Sequence, residues 1–279
     1  MRAGAALLVL LLLAVALGPL VLPAPEALDL AARYAPPSWE HPLGTDELGR
    51  DLAARLLHGG RVSLAVAAVT AVLAAIIGTG IGLLAGFHGG WADAVLMRLT
   101  DGVMALPLLP LLIVLAAADP ARLGLDPELA ASEGFAVARL AVIIGCVGWT
   151  TVARLVRASA LSLRSRDYVR AAVVAGASPG RIMRRHILPN IASPVVVSTT
   201  ISVGHIILIE SALSFLGLGI RPPLASWGNM LTGAMDVVWS TPALAVWPGA
   251  AILLTVLAFN LLGDGLQKRL DPKLVSTST

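Results

Sequence analysis

Six apolar runs, each about as long as a lipid bilayer is thick, dictate what this chain can become. They are Ala3–Leu22, Val62–Phe87, Ala94–Ala118, Phe135–Ala160, Ile191–Ile209 and Ala243–Leu262. A helix of about 20 apolar residues crosses the ~30 Å hydrocarbon core. Lipid offers the backbone no hydrogen bonds, so each run is expected to satisfy its own as a helix. Hydrophobic residues make up 57 % of the 279 and charged residues 13 %, about half the usual 25 % of soluble domains. The expected fold is therefore all-α: a polytopic membrane protein with six transmembrane helices.

The expected organisation has four parts. Residues 1–22 form the first transmembrane helix and 23–60 an external segment. Residues 61–266 form a five-helix core containing a loop at 161–190, and 267–279 form a cytoplasmic tail. A cleaved signal peptide ending near Ala14-Val15-Ala16 is the alternative for the first run; its apolar length favours a span.

The charges orient this arrangement. Between Arg154 and Asn190 lie Arg154, Arg157, Arg164, Arg166, Arg170, Arg181, Arg184 and Arg185 against Asp167 alone. A loop that cationic is held on the cytoplasmic side. With it inside, the cytoplasmic segments and adjoining helix ends also carry Arg2, Arg98, Lys268, Arg269 and Lys273. Segments 23–60 and 119–133 each carry a net charge of −3, and both termini fall in the cytoplasm.

Within the loop, Ala171 and Ala172 favour helix and Gly176 permits a sharp turn. Ser178-Pro179 reads as a helix N-cap with proline at the first position, and Pro189 closes the unit. Two short helices joined at Gly176 are expected.

Other residues carry weaker signals. Gly78, Gly82 and Gly86 recur every four residues and predict close helix packing. Pro107 and Pro110 predict a bend, either plain or lining a translocation path. His205 and Glu210 are ionisable residues near membrane depth, where such groups are functional suspects. Glu210 is expected at the interface, as a second candidate for the path, and His205 packed or hydrogen-bonded. Gly44-Thr45-Asp46 reads as a turn with a helix cap, and Trp227, Trp239 and Trp247 as interfacial anchors.

Several chemistries are excluded. A P-loop needs Gly-x-x-x-x-Gly-Lys-Ser/Thr, and neither Lys268 nor Lys273 sits in that pattern. Gly176-Ala177-Ser178-Pro179-Gly180 imitates a nucleophile elbow, but Pro179 lacks the N–H that would hold an oxyanion. The histidines and Cys146 show no metal spacing, so no metal is expected. The basic residues are confined to one loop and the C-terminus without interleaved aromatics, which argues against nucleic acid.

The loop resembles the EAA loop of bacterial ABC importer permeases, whose pattern is Glu-Ala-Ala, three residues, Gly, nine residues, Ile-x-Leu-Pro. Here it reads Arg170-Ala171-Ala172, Gly176, His186-Ile187-Leu188-Pro189, with Arg170 and His186 replacing Glu and Ile. His41-Pro42-Leu43-Gly44-Thr45-Asp46-Glu47-Leu48-Gly49-Arg50-Asp51, Ser214–Gly219 and Ser226–Met230 are similar to motifs of the dipeptide, oligopeptide and nickel branch of these permeases. The resemblance implies a type I importer transmembrane domain in a bacterial plasma (inner) membrane. It implies that Arg170, Ala171, Ala172, Gly176, Ala177, Arg181, His186 and Pro189 couple to an ATPase. The implied partners are a homologous second permease subunit, two ATPase subunits or domains that hold ATP and Mg, and an extracytoplasmic solute-binding protein. This chain would hold no cofactor. Di- or oligopeptides are the expected cargo, with nickel or another small solute as the alternative. An ion-driven secondary transporter is a further alternative, but no clear internal repeat or acid buried mid-span supports it.

Overall fold

The computed structural model describes residues 2–118 and 132–270, with Gly124, Asp126 and Glu128 between them. Asp119, Arg122 and Lys273, counted in the charge argument, lie outside the described residues, as does tail segment 271–279. Nine helices organise the described residues: α1 (Arg2–Val21), α2 (Leu52–His88), α3 (Gly90–Ala105), α4 (Leu108–Ala116), α5 (Glu133–Arg164), α6 (Asp167–Val174), α7 (Pro179–Phe215), α8 (Trp227–Ala234) and α9 (Ala243–Leu270). Five of them, α1, α2, α5, α7 and α9, are long and apolar enough to cross a membrane.

The third expected span is broken. Helices α3 and α4 meet at an angle of 87°, and either alone is too short to cross. Proline disfavours helical backbone in the residue before it, and Leu106 is extended at φ −75°, ψ 138°. Pro107 is exposed at this break. Pro110 lies in the first turn of α4, where no intrahelical donor is missed.

Helix α2 is the centre of the bundle. It starts ten residues before the span read from the sequence, because Asp51 caps it by accepting from Ala54 N at 2.7 Å. The turn Gly44-Thr45-Asp46, read as carrying the cap, does not cap α2: its Asp46 accepts from Leu48 N and Arg50 N. Gly59 and Gly60 do not end the helix. A Cβ at Gly59 would sit 3.2 Å from Ser226 backbone atoms, and one at Gly60 2.8 Å from the Trp227 ring. The glycines thus make room for the start of α8. Trp227, expected as an interfacial anchor, is consequently buried, and its Nε1 donates to Leu56 O at 2.9 Å. Trp239 is exposed.

The α2–α5 pair packs backbone to backbone. A Cβ at Gly78 would lie 2.6 Å from Trp149 O, at Gly82 2.4 Å from Ala153 O and at Gly86 2.7 Å from Arg157 O. The stripe of absent side chains on α2 is where α5 rests. Helix α1 leans on α2 and α9. Pro19 leaves Val15 O without its usual donor four residues on. Arg61 of α2 supplies one, with Nε to Val15 O at 3.0 Å and Nη2 to Ala16 O at 2.6 Å.

Candidate functional site

The loop between α5 and α7 is a built structure. Helix α6 is amphipathic. Its Val169 is buried, and with Ala172 and Ala177 it packs on Val152, Val156 and Ala160 of α5 and Ile182, Ile187 and Ile191 of α7. Gly176 then reverses the chain at φ +77°, a left-handed conformation that glycine adopts without steric cost. Ala177 N donates to Ala172 O at 3.0 Å and Gly176 N to Val173 O at 2.9 Å. That is the Schellman pattern, which closes two carbonyls left open by the end of α6.

The second short helix expected from the sequence is instead the beginning of α7. Pro179 occupies its first turn, as expected, but the Ser178 side chain makes no capping hydrogen bond. The helix passes through a π-helical turn, Met183–Ile187, and continues to Phe215. Pro189, expected to close the unit, therefore lies inside a continuous rod. The wider turn already displaces the ladder there, so the missing proline N–H does not break it. Asn190 Nδ2 donates to His186 O at 2.7 Å, supporting the same stretch.

The eight arginines divide into two groups. Arg157 grips Asp93 with two hydrogen bonds, at 2.5 and 2.6 Å, and Arg154 meets Asp101 at 2.5 Å, tying α5 to α3. Arg164 Nη1 donates to Phe87 O at 2.9 Å, at the last turn of α2. These three position the loop. Arg166, Arg170, Arg181, Arg184 and Arg185 are exposed, and among the described residues none has an ion pair.

The eight coupling candidates do not form one surface. Arg170, Ala171, Gly176 and Arg181 are exposed at the tip. Ala172 and Ala177 are half-buried and support the turn from beneath. His186 lies farther along α7, its ring 6.4 Å from that of Tyr168, and Pro189 is exposed beyond the π turn.

Two tip residues escaped the sequence reading. Val173 is 57 % and Val174 89 % exposed. The available signal was a pair of β-branched apolar residues inside a cationic loop. A recess of about 640 Å³ opens beside them, lined by Phe87, Leu161, Arg164, Arg170 and both valines. The tip thus offers apolar surface ringed by positive charge, beside an open concavity.

At the far end of α7 the structure corrects two further readings. Glu210, expected at an interface, is fully buried. Ser214 Oγ donates to its Oε1 at 2.7 Å and Ser211 Oγ reaches Oε2 at 3.5 Å. The hydroxyls of Ser63 on α2 and of Ser226, the cap of α8, also reach the carboxyl. The group therefore joins three helices and faces no open path in this conformation. His205, expected to be packed or hydrogen-bonded, is exposed on α7. Glu210→Leu should lower thermal stability by about 1–3 kcal/mol for each hydroxyl left unpaired. Glu210→Gln, which keeps an acceptor, should lose much less. Thermal unfolding of the purified variants in detergent checks this, and equal losses would overturn the assignment.

Comparison with known proteins places the fold. The family model described as binding-protein-dependent transport system inner membrane component matches residues 78–276. A protein named as a peptide permease in Brucella suis biovar 1 is 42 % identical over 273 residues, covering 97 % of this chain and 86 % of the relative. A second from the same organism, named as a peptide transport system permease, is 43 % identical over 274 residues, covering 98 % and 88 %. A glutathione transport system permease of Pectobacterium atrosepticum is 42 % identical over 240 residues, covering 86 % and 75 %. The chain belongs to the family of binding-protein-dependent transport system inner membrane components, the permease subunits of ABC importers.

Proposed function

We propose that this chain forms half of the translocation pathway for di- or oligopeptides, and that its α6–α7 elbow is where a separate cytoplasmic ATPase docks. The observation that carries the docking role is the elbow itself. It is a turn locked by backbone hydrogen bonds, with Val173 and Val174 exposed at its tip and five exposed arginines around it. The peptide cargo rests on the names of the relatives, two of which are called peptide permeases.

The proposed mechanism is mechanical. Helix α7 is one rod of 37 residues, about 55 Å long at 1.5 Å per residue. Its first turn lies in the elbow, and its other end packs against α2 and α8, where Glu210 is buried. Closure of an ATPase dimer would push the elbow and tilt α7 with α5, changing the side to which the pathway opens. ATP and Mg would be held by the ATPase partners. A homologous permease would supply the other half of the path, and an extracytoplasmic solute-binding protein would deliver the cargo. The elbow and both termini face the cytoplasm in this reading, supported by the arginine excess on that side.

Two measurements test it. The tagged chain, extracted from native membranes in mild detergent, should bring down a second permease and ATPases. With Cys146 replaced by Ser, Arg181→Cys should resist a membrane-impermeant thiol reagent in intact cells and react once the cytoplasmic face is opened. Labelling in intact cells would overturn the orientation and the docking role with it.

A further inference from the structure

At the opposite end of α2 from the elbow lies a cavity of about 250 Å³ whose chemistry the transport cycle described above leaves unused. It opens between the start of α2, the segment before it and α8. Asp46, Arg50 and Arg55 line it and are all more than nine-tenths buried. Most of this cluster is satisfied. Asp46 Oδ1 accepts from Leu48 N and Arg50 N, and its Oδ2 accepts from Arg50 Nε at 2.7 Å. Arg50 Nη2 donates to Glu47 Oε1 at 2.8 Å.

Arg55 is the exception. Its guanidinium meets Asp46 Oδ2 at 3.3 Å, an ion contact to an oxygen already taken by Arg50. No hydrogen bond is made by its five N–H groups among the described residues. The guanidinium nitrogens are open to the cavity rather than sealed from it, so a group inside can accept from them. Arg221 adds a second cation on the rim, and among the described residues Glu47 Oε2 has no hydrogen bond. The cavity therefore presents a fork suited to a carboxylate and, nearby, an acceptor suited to an amine. Drug-sized ligands fill about 300–1,000 Å³, so this space suits a group of roughly one amino-acid residue.

We propose that this cavity binds the carboxylate end of a small solute, either a free amino acid or the C-terminal residue of a peptide, with Arg55 as the carboxylate-binding residue and Glu47 facing the α-nitrogen, an ammonium in the first case and an amide N–H in the second. The site needs neither nucleotide nor the docking elbow, so its failure would leave the proposed function standing.

The test uses the assembled complex in lipid nanodiscs, without the solute-binding protein or nucleotide. Equilibrium dialysis measures binding of labelled L-alanyl-L-alanine, its C-terminal amide and L-alanine. Saturable binding of the dipeptide is expected, with the amide at least tenfold weaker. If alanine competes equally, a free amino acid suffices; if it does not, a peptide terminus is the source. Either result supports the site. Arg55→Gln should weaken carboxylate binding at least tenfold. Should that variant fail to fold, Gly233→Leu provides an independent probe. A Cβ there would sit 3.7 Å from Glu47, in ordinary contact, and the rest of the leucine would fill the cavity. It should abolish binding while the melting temperature without ligand stays unchanged. Equal affinity for acid and amide, undiminished binding by a folded Arg55→Gln or by Gly233→Leu, or no saturable binding by the wild-type complex would each overturn the proposal.

Discussion

Gly176→Val should disconnect ATP hydrolysis from solute supply while leaving the protein in the membrane. Nothing lies within 4 Å of a Cβ built at this position, so the substitution meets no neighbour. Its effect comes from the backbone. At φ +77° an L residue carries a strain of about 1–2 kcal/mol, and valine, branched at Cβ, is among the least tolerant. Relieving that strain opens the turn and breaks the hydrogen bond from Ala177 N to Ala172 O. Val173 and Val174 then lose their fixed position relative to Arg181. A cost of 1–2 kcal/mol in the seated conformation lowers its population roughly 5–30-fold. Binding-protein-stimulated ATP hydrolysis in the reconstituted complex should fall by a similar factor. Gly180→Ala is the control, since that glycine has a helical backbone and open space around it. Unchanged stimulated hydrolysis in Gly176→Val would mean that the turn does not transmit force.

The largest expected effect on stability is at Gly82. A Cβ there would lie 2.4 Å from Ala153 O, 2.8 Å from Val156 Cβ and 3.0 Å from Arg157 N. Two of those three atoms are backbone of α5, which cannot step aside without moving the helix. Overpacking a tight interior costs about 1–3 kcal/mol even where side chains can adjust. Gly82→Ala should therefore lower the melting temperature clearly, and Gly82→Leu should prevent a stable subunit from accumulating. Gly80→Leu is the matched control. It lies two residues away on the same helix, with nothing within 4 Å of its Cβ, and should behave as wild type. Detergent-solubilised yield and thermal unfolding compare the three. Similar behaviour of Gly80→Leu and Gly82→Leu would show that α2 and α5 do not pack as described.

Much of this architecture was legible in one dimension. The apolar lengths specify helices because lipid leaves a backbone no other way to pair its polar groups. The four-residue spacing of Gly78, Gly82 and Gly86 specifies a close-packed face because it matches the helical repeat. Gly176 marks a turn because few other residues tolerate its conformation. These are local rules, each obeyed within one segment.

What the chain order could not reveal depended on partners distant in sequence. Glu210 looks interfacial until Ser63 on α2 and Ser226 on α8 are brought to it. The start of α2 looks like a loop until α8 packs over Gly59 and Gly60. Three of the eight arginines look free until α3 supplies Asp93 and Asp101 and α2 supplies Phe87 O. Pro189 looks like a terminator until the preceding π turn absorbs its missing donor. Sequence alone thus determined five membrane-length helices and where the elbow turns, through length, period and backbone tolerance. The tertiary structure alone decided which polar groups are spent inside and which remain available, because a buried charge or hydroxyl acquires its role from whatever is folded against it.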